Sequence, residues 1–203
     1  MKLYFLATFL VTFGVSCSAI PKNGMGDGGR AEELGLSKYV VAHRTFLEQP
    51  NYKNEELIEQ LNPENSRMTV SLSALRAKVL LGEEVAIDTP VSPGKKTHPT
   101  PTGNFSIIGK KKDHRSNLYG TIYNENGGRV AGGDRRKNEI PNGGKFVGAS
   151  MPYWMRLTNT GIGMHVGYVP TYPASHGCIR LPKPIAPVIF EKTKVGTPVT
   201  IEH

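Results

Sequence analysis

Apolar and polar residues alternate along much of the second half of the chain, a pattern typical of strands with one buried face. Over residues 68–92 the alternation continues on both sides of a turn at 81–84, which predicts a β-hairpin. Four later segments also have strand patterns: a strand at 104–109, a strand–turn–strand at 120–133, a hairpin at 152–167 that turns at 159–161, and a last strand at 196–203. These segments predict a mostly antiparallel β domain with minor α that begins near residue 66.

Helical patterns precede the strands. Residues 54–61 have Asn54 as a candidate N-cap and acidic residues in the first turn, and residues 37–49 contain a similar short pattern. The chain before them is rich in glycine and has no apolar period. Residues 18–65 are therefore predicted to form a tether and a small helical lead-in that packs on the main domain.

One more helix is predicted near the C-terminus, over residues 183–192. Pro184 suits the first turn of that helix, where its missing N–H has no partner to lose. Pro187 would fall inside the same helix and is expected to shorten or distort it. No internal repeat interrupts this order, so residues 66–203 are predicted to form one domain.

The first seventeen residues resemble an export signal. A single early charge, Lys2, precedes an uncharged stretch at 3–15, which is the length of a signal-peptide core and too short for a comfortable membrane span. The sequence that follows, Gly-Val-Ser-Cys, resembles a bacterial lipobox, with Ser16 as the small residue before Cys17. We expect a signal peptide over 1–17 and a lipid anchor at Cys17, on the periplasmic side of the envelope. The alternative is a secreted protein from which Cys17 is removed.

Charge narrows the range of partners. The chain of 203 residues has 25 Lys and Arg against 17 Asp and Glu, a formal net charge of +8. A basic surface favours anionic partners such as nucleic acid, anionic lipid or an acidic cell-wall polymer. Since the chain has no basic helix, zinc-finger spacing or aromatic RNA-binding motif, no nucleic-acid partner is expected. The protein is expected to be a monomer.

Cysteine usage then points to a reactive site. The chain has two cysteines, Cys17 and Cys178. Whether Cys17 is lipidated or removed, Cys178 is left without a disulfide partner in an oxidising compartment. A leftover cysteine in such a setting is a candidate reactive thiol, although a lone cysteine is more often a small buried apolar residue.

Two histidines are candidates to activate this thiol. His165 ends a predicted strand, with twelve residues between it and Cys178, and His176 lies two residues before Cys178. In an extended segment His176 and Cys178 would share a face. Gly177 between them permits unusual backbone angles, and the N–H groups of Gly177 and Cys178 could point at a developing oxyanion. We predict a thiolate–imidazolium pair that depends on His165 more than on His176 and lowers the pKa of the thiol.

The segment from His165 to Pro182, "HVGYVPTYPASHGCIRLP", resembles the signature of the bacterial L,D-transpeptidase catalytic domain. That signature is a histidine, a variable loop, then Ser/Thr-His-Gly-Cys, an apolar residue and usually Arg or Asn. The upstream "TPTGNFSI", the "MPYWMRL" before His165 and the closing "GTPVTI" are also similar to the family and occur in its order. The resemblance covers about residues 68–203. It implies an L,D-transpeptidase-like β-sandwich with a short helix.

The resemblance also implies roles for individual residues. Cys178 would be the nucleophile and His165 the general base, oriented by a backbone carbonyl just after it, where this chain has Val166 instead of the usual Gly, Ser or Thr. His176 and Gly177 would shape the site, and Ser175 would cap the turn. Arg180 would hold the site loop or meet a substrate carboxylate. Tyr153 and Tyr172 are candidates for the substrate cleft.

The implied reaction is acyl transfer on peptidoglycan stem peptides, with no cofactor. Cys178 would cleave the bond before the terminal D-Ala and pass the acyl group to an amine of a second stem, which makes a 3→3 crosslink. Water as acceptor would give an L,D-carboxypeptidase, and a lipoprotein lysine would give an anchoring transferase. The first half-reaction is common to all three.

Two other classes of function fit some of the same residues. His165, His176 and Cys178 could ligate a metal, although three ligands at these spacings are unlike common zinc sites, so no metal is expected. The domain could also be a non-catalytic module that binds the wall. The cysteine and both histidines of the motif argue against that reading.

Overall fold

A computed structural model describes residues 51–203, which contain two α-helices and three β-sheets. The helices are α1 (Glu55–Gln60) and α2 (Ala186–Lys192). The strands are β1 (Tyr52–Lys53), β2 (Ser66–Ser71), β3 (Arg76–Leu81), β4 (Glu84–Pro90), β5 (Gly103–Ser106), β6 (Gly109–Lys111), β7 (Arg115–Tyr123), β8 (Arg129–Asp134), β9 (Lys145–Ser150), β10 (Trp154–Arg156), β11 (Gly163–Val166), β12 (Ile179–Leu181) and β13 (Pro198–Glu202). The predicted mostly β fold with minor α is confirmed.

The largest sheet has six strands in the order β1-β4-β3-β2-β13-β5. The predicted hairpin is β3 and β4, which turn at Gly82 with a φ of 57°. The same alternating segment also contains β2, paired antiparallel with β3, so it holds three strands where the pattern predicted two. The last strand, β13, runs parallel to β2 and ties the C-terminus to the start of the domain.

Two smaller sheets complete the fold. The four-stranded sheet has the order β12-β11-β10-β6, and the three-stranded sheet has the order β8-β7-β9. Both predicted hairpins are present, as β7 with β8 and as β10 with β11. The strand predicted at 104–109 is divided, because β5 ends at Ser106 in one sheet and β6 begins at Gly109 in another.

The helix predicted at 54–61 is confirmed as α1. The Asn54 side chain accepts a hydrogen bond from the Leu57 N–H at 3.2 Å, as an N-cap does. Leu57, Ile58 and Leu61 are buried in the main hydrophobic core, so α1 packs against the sheets. The helix predicted at 37–49, and the segments expected to form the signal and tether, lie outside the described residues.

The C-terminal helix differs from its prediction in where it begins. A turn over residues 182–185 contains Pro184, and α2 starts only at Ala186, with Pro187 in its first turn. Pro187 is therefore accommodated where a missing N–H is harmless, and it does not distort the helix. Neither helix in residues 51–203 has the length and apolar character needed to cross a bilayer.

The core lies between the six- and four-stranded sheets and α2. In the four-stranded sheet, Met164 on β11 and both Ile179 and Leu181 on β12 are fully buried in this core. Because strand side chains alternate between faces, the residues between them project from the opposite face. His165, Arg180 and Cys178 occupy that opposite face.

Candidate active site

Strand register brings Cys178 and His165 to the same surface. β11 and β12 are parallel, with Met164 opposite Ile179 and His165 opposite Arg180. One step back along this register, Cys178 lies beside Gly163. The thiol and the imidazole therefore project from one face, a single diagonal step apart on neighbouring strands.

Cys178 is a free, partly buried thiol at the end of the loop that leads into β12. Burial raises the pKa of Cys178, because the thiolate loses its hydration. The backbone N–H of Gly163 and the positive charge of Arg180 both lower that pKa, but by less than burial raises it. The sulfur also lies 3.8 Å from the carbonyl oxygen of Gly161, an acceptor for the S–H.

His165 is only 8% exposed, and its ring orientation is set by its own strand. The Nδ1 atom lies 2.7 Å from the Val166 carbonyl oxygen. A carbonyl only accepts, so Nδ1 carries the hydrogen and Nε2 has a free lone pair. This backbone contact is the one that the family resemblance implied, and it does not depend on which side chain follows the histidine.

Burial also fixes the charge of His165. Desolvation lowers the pKa of His165 to about 4, against a smaller opposing effect of the Val166 carbonyl; the charges of Arg180 and His114 lower it further. Since the pKa of the thiol is raised and that of the imidazole is lowered, both groups are neutral at pH 7. These shifts disfavour the predicted resting thiolate–imidazolium pair, because burial removes hydration from both ions.

His176 does not accompany Cys178. Residues 176–178 form a bend, with Gly177 at a φ of 110°, so the predicted shared face of an extended segment is wrong. The exposed His176 ring stacks on Tyr119 of β7, with centroids 4.5 Å apart, and meets the edge of His98 at 4.8 Å. The hairpin that contains Tyr119 thus flanks the site.

Hydroxyl groups hold the bend itself. The buried Ser175 Oγ donates to the Cys178 carbonyl and accepts the Gly177 N–H at 3.1 Å. Thr100 Oγ1 donates to the Gly177 carbonyl at 2.7 Å. The Gly177 N–H predicted for the oxyanion hole is therefore engaged within the turn, which leaves the Cys178 N–H as the candidate donor. A side chain at position 177 would place its Cβ 2.6 Å from the Ile162 Cδ1.

Arg180 lies directly across from His165 in the strand register. Its Nη1 is 3.5 Å from the Tyr168 carbonyl oxygen, in the loop between the two reactive residues. Its charge also lowers the pKa of His165, His176 and Cys178. Of the two roles expected for Arg180, contact with the site loop is therefore present, and contact with a substrate carboxylate stays a prediction.

The two tyrosines expected at the substrate cleft have different surroundings. Tyr153 packs against the core and meets the Phe190 ring edge-on at 5.5 Å, so it supports the fold and does not line a cleft. The next residue, Trp154 at the start of β10, is the aromatic side chain near His165, with ring centroids 6.0 Å apart. Tyr172 is 59% exposed in the loop before Cys178, and its carbonyl accepts the Ser92 hydroxyl at 2.9 Å.

The sequence patterns did not predict the row of aromatic rings next to His165. His114 stacks on Trp154 with centroids 5.1 Å apart, and Trp154 lies 6.0 Å from His165. Trp154 precedes Met155, which pairs with Met164, so the hairpin register was enough to place Trp154 opposite His165. Nothing local marks His114, His98 or Tyr119, which come from distant segments.

The metal alternative finds no support in residues 51–203, where no group of three or more His, Cys, Asp and Glu side chains is placed to hold an ion. His165 uses Nδ1 on a carbonyl, and the exposed His176 ring stacks on Tyr119. The three residues of that hypothesis therefore do not converge on a common centre.

Comparison with known proteins shows the family of this chain. The YkuD family model, described as the L,D-transpeptidase catalytic domain, matches residues 65–201. No curated protein matches the chain significantly. An L,D-transpeptidase from Mycobacterium smegmatis is similar in fold, with a TM-score of 0.52 and 22% identity over 68% of this chain and 59% of its own.

Two further solved structures have somewhat higher identity. The LD transpeptidase LdtMt1 in complex with imipenem has a TM-score of 0.51 and 26% identity over 68% of this chain and 58% of that chain. The Ldtfm-avibactam carbamoyl enzyme has a TM-score of 0.50 and 27% identity over 68% of this chain and 49% of that chain. The chain therefore spans between about half and three fifths of the length of these proteins.

Together the family match, the mostly β fold and the site place the chain in a known class. It belongs to the L,D-transpeptidase family, and the match covers two thirds of its length.

Proposed function

We propose that this protein is an L,D-transpeptidase in which Cys178 is the nucleophile and His165 the general base. The observation that carries the proposal is the shared face of the free thiol and a histidine whose Nδ1 is tied to the Val166 carbonyl, leaving Nε2 to accept a proton. The substrate is a tetrapeptide stem of peptidoglycan, cleaved between its third residue and the terminal D-Ala.

The neutral resting groups define how the first step proceeds. As Cys178 Sγ attacks the carbonyl carbon, its proton moves to Nε2 of His165, and negative charge develops on the substrate oxygen. The Cys178 N–H stabilises that oxyanion. Collapse of the tetrahedral intermediate breaks the C–N bond, and the proton returns from His165 to the leaving nitrogen of D-Ala. A thioester remains on Cys178.

The second step depends on the acceptor. An amine of a second stem attacks the thioester carbonyl and makes a 3→3 crosslink, while His165 takes up the amine proton and Cys178 regains its own. Water would give carboxypeptidase trimming, and a lipoprotein lysine would give anchoring. The net charge of +8 suits an acidic cell-wall polymer better than a neutral one.

Purified stem peptides test the proposal directly. The wild-type protein should release D-Ala from a tetrapeptide stem, and mass spectrometry of the products identifies the acceptor. Cys178→Ala should release none. D-Ala release by Cys178→Ala at the wild-type rate would contradict the proposed nucleophile, and a wild-type protein that binds the stem without turnover would favour a wall-binding module.

A strained β-lactam should trap the same nucleophile. Family resemblance points to carbapenems above penicillins, and one similar enzyme was solved in complex with imipenem. We expect intact-mass measurement to show one imipenem adduct on the wild type and none on Cys178→Ala. An adduct of equal yield on both proteins would move the reactive site elsewhere.

We also propose that residues 66–203 act as the catalytic domain of a lipid-anchored envelope protein. The signal peptide would be cleaved before Cys17, at the lipobox-like sequence, and Cys17 would be acylated. The next residue is Ser18 and not Asp, which favours the outer membrane of a Gram-negative host. Mass spectrometry of the mature N-terminus is the test. An unmodified N-terminus that begins after residue 17 would rule the anchor out.

A further inference from the structure

The peptide group between Gly177 and Cys178 controls the direction of the candidate oxyanion donor. This peptide is trans, so its C=O and its N–H point in opposite directions. Whatever holds the Gly177 carbonyl therefore also aims the Cys178 N–H. In this fold that carbonyl is held by Thr100, a residue 77 positions away along the chain.

Thr100 makes two directional hydrogen bonds from a buried position, with 5% of its surface exposed. Its Oγ1 donates to the Gly177 carbonyl at 2.7 Å and accepts the Gly94 N–H at 2.8 Å. A hydroxyl has one hydrogen, and the Gly94 amide can only donate, so the Thr100 hydrogen is committed to the Gly177 carbonyl. The Gly94 N–H therefore fixes Thr100 as the donor in its hydrogen bond to the Gly177 carbonyl.

The loop that contains Thr100 is pressed against the bend. A Cβ at Gly94 would lie 2.9 Å from the Gly177 Cα and 2.8 Å from the Thr100 N, so no side chain separates the two backbones. Gly177 itself has a φ of 110°, in a region where glycine backbone is least restricted. An external contact is needed to hold a glycine peptide in one orientation, and Thr100 provides it on the Cys178 side.

Ser175 holds the other side of the same glycine, through the Gly177 N–H and the Cys178 carbonyl. The two hydroxyls leave the peptide group between Gly177 and Cys178 with its carbonyl occupied and its N–H directed away from Thr100. We propose that Thr100 is a positioning residue for acyl transfer: it aims the Cys178 N–H at the oxyanion without touching the substrate. This inference rests on the proposed function.

The variant Thr100→Val tests the role, because valine keeps the shape of threonine and removes the hydroxyl. We expect acylation of Cys178 by imipenem, and kcat for D-Ala release, to fall about 10- to 100-fold, below the loss seen when a whole oxyanion donor is removed. KM should change less than twofold. Alkylation of Cys178 by iodoacetamide forms no oxyanion, so its rate should also stay within about twofold of the wild type.

Two matched variants separate positioning from folding. Thr193 is also buried and donates its hydroxyl to a backbone carbonyl, that of Ile189 at 2.8 Å, just after the end of α2. Thr193→Val should lower the melting temperature like Thr100→Val and leave acylation unchanged. Thr100→Ser, which keeps the hydroxyl, should restore most of the acylation rate.

Other results would overturn the inference. Acylation of Thr100→Val within twofold of the wild type would do so, as would an equal fall in acylation and alkylation, since that pattern reports a disturbed thiol. A wild type that is alkylated but never acylated would instead contradict the proposed function, and with it the oxyanion that Thr100 serves.

A crystal structure of the wild-type imipenem adduct gives an answer even if Thr100→Val does not fold. The carbonyl oxygen of the adduct should lie within hydrogen-bond distance of the Cys178 N, with Thr100 still bound to the Gly177 carbonyl. A Gly177 carbonyl turned away from Thr100 in the adduct would overturn the role.

Discussion

Cys178 and His165 lie on the same face of a four-stranded sheet, and both have lost much of their contact with water. Burial raises the pKa of the thiol and lowers that of the imidazole to about 4. The base is therefore in its proton-accepting form throughout the neutral range, and the thiol has to be deprotonated during attack. A site of this kind protects its thiol from indiscriminate reaction until a carbonyl is in place.

The neutral state of His165 should appear in the pH dependence of stability. Its folded pKa of about 4 lies below the ordinary value of 6.5, so between these values the unfolded chain binds a proton that the folded chain does not. Stability is therefore lost as the pH falls from 6.5, by about 3 kcal/mol near pH 4. Denaturant unfolding at pH 7, 5.5 and 4.5 measures this loss.

His165→Gln should remove most of that pH dependence, because glutamine does not titrate. His203, exposed at the C-terminus, is the matched control, and His203→Gln should leave the loss unchanged. A loss of stability between pH 6.5 and 4.5 that is the same in His165→Gln and the wild type would contradict the assignment of a neutral, buried imidazole.

Thiol reactivity gives a second prediction for the same pair. The pH midpoint of iodoacetamide labelling should lie above the free-cysteine value of about 8.5, because burial outweighs the Gly163 amide and Arg180. His165→Ala should lower D-Ala release at least about 100-fold by removing the general base. His176→Ala should lower it less, since His176 stacks on Tyr119. A wild-type labelling midpoint below about 8.5 that rises in His165→Ala would instead support the thiolate–imidazolium pair.

At the C-terminal end of helix α2, the side chain of Lys110 binds backbone carbonyls that the helix itself leaves without partners. The Lys110 ammonium, on β6, donates to the carbonyls of Phe190 and Thr193 at the C-terminal end of α2 and lies 4.2 Å from the centroid of the Phe190 ring. The last carbonyls of a helix have no partner within it, and a cation there also suits the helix dipole. β6 and α2 are thereby joined by one residue.

Lys110→Met should cost about 2 kcal/mol of unfolding free energy, because two hydrogen bonds from a charged donor are lost, while the Phe190 carbonyl keeps only the Thr193 hydroxyl at 3.4 Å. The adjacent Lys111 is exposed, and Lys111→Met should change stability by less than about 0.5 kcal/mol. Chemical denaturation of both variants measures the difference. Equal effects would show that the ammonium of Lys110 adds nothing beyond its aliphatic chain.

Across the domain as a whole, the six-stranded sheet contains a buried ion pair remote from the reactive thiol. The side chain of Arg76 on β3 is 4% exposed, and that of Asp88 on β4 is 3% exposed. The Arg76 Nη2 lies 2.6 Å from the Asp88 Oδ1. A buried pair contributes little net stability when intact, but removal of Asp88 takes the carboxylate partner away from a charge in the interior. The pair thus penalises any rearrangement of this sheet that would separate β3 from β4.

Asp88→Ala should therefore lower the unfolding free energy by about 3–5 kcal/mol, as measured by denaturant titration. The exposed pair between Arg67 and Glu83 provides the control, and Glu83→Ala should cost less than about 1 kcal/mol. If the two substitutions cost the same, the interior around Arg76 must be hydrated enough to screen its charge.

Local sequence was sufficient for features that depend on neighbouring residues. Turn residues and alternation predicted three hairpins, Asn54 marked the start of α1, and the motif around Cys178 pointed to the nucleophile and base now proposed. Each of these depends on a short stretch whose backbone preferences and side-chain spacing can be read in order. The same local reading placed the strand at 104–109 in one piece, because nothing nearby shows that two sheets share it.

Long-range packing decided the rest. The parallel pairing of β2 with β13 joins segments far apart in the chain, and the parallel pairing of β11 with β12 closes the loop at 167–178 and brings His165 beside Arg180. Burial also disfavours the predicted ion pair, since the hydration lost by a charge depends on every element packed around it. Thr100 reaches the Gly177 carbonyl across 77 residues, a contact that no local pattern encodes because it exists only once the loop and the bend have been folded together.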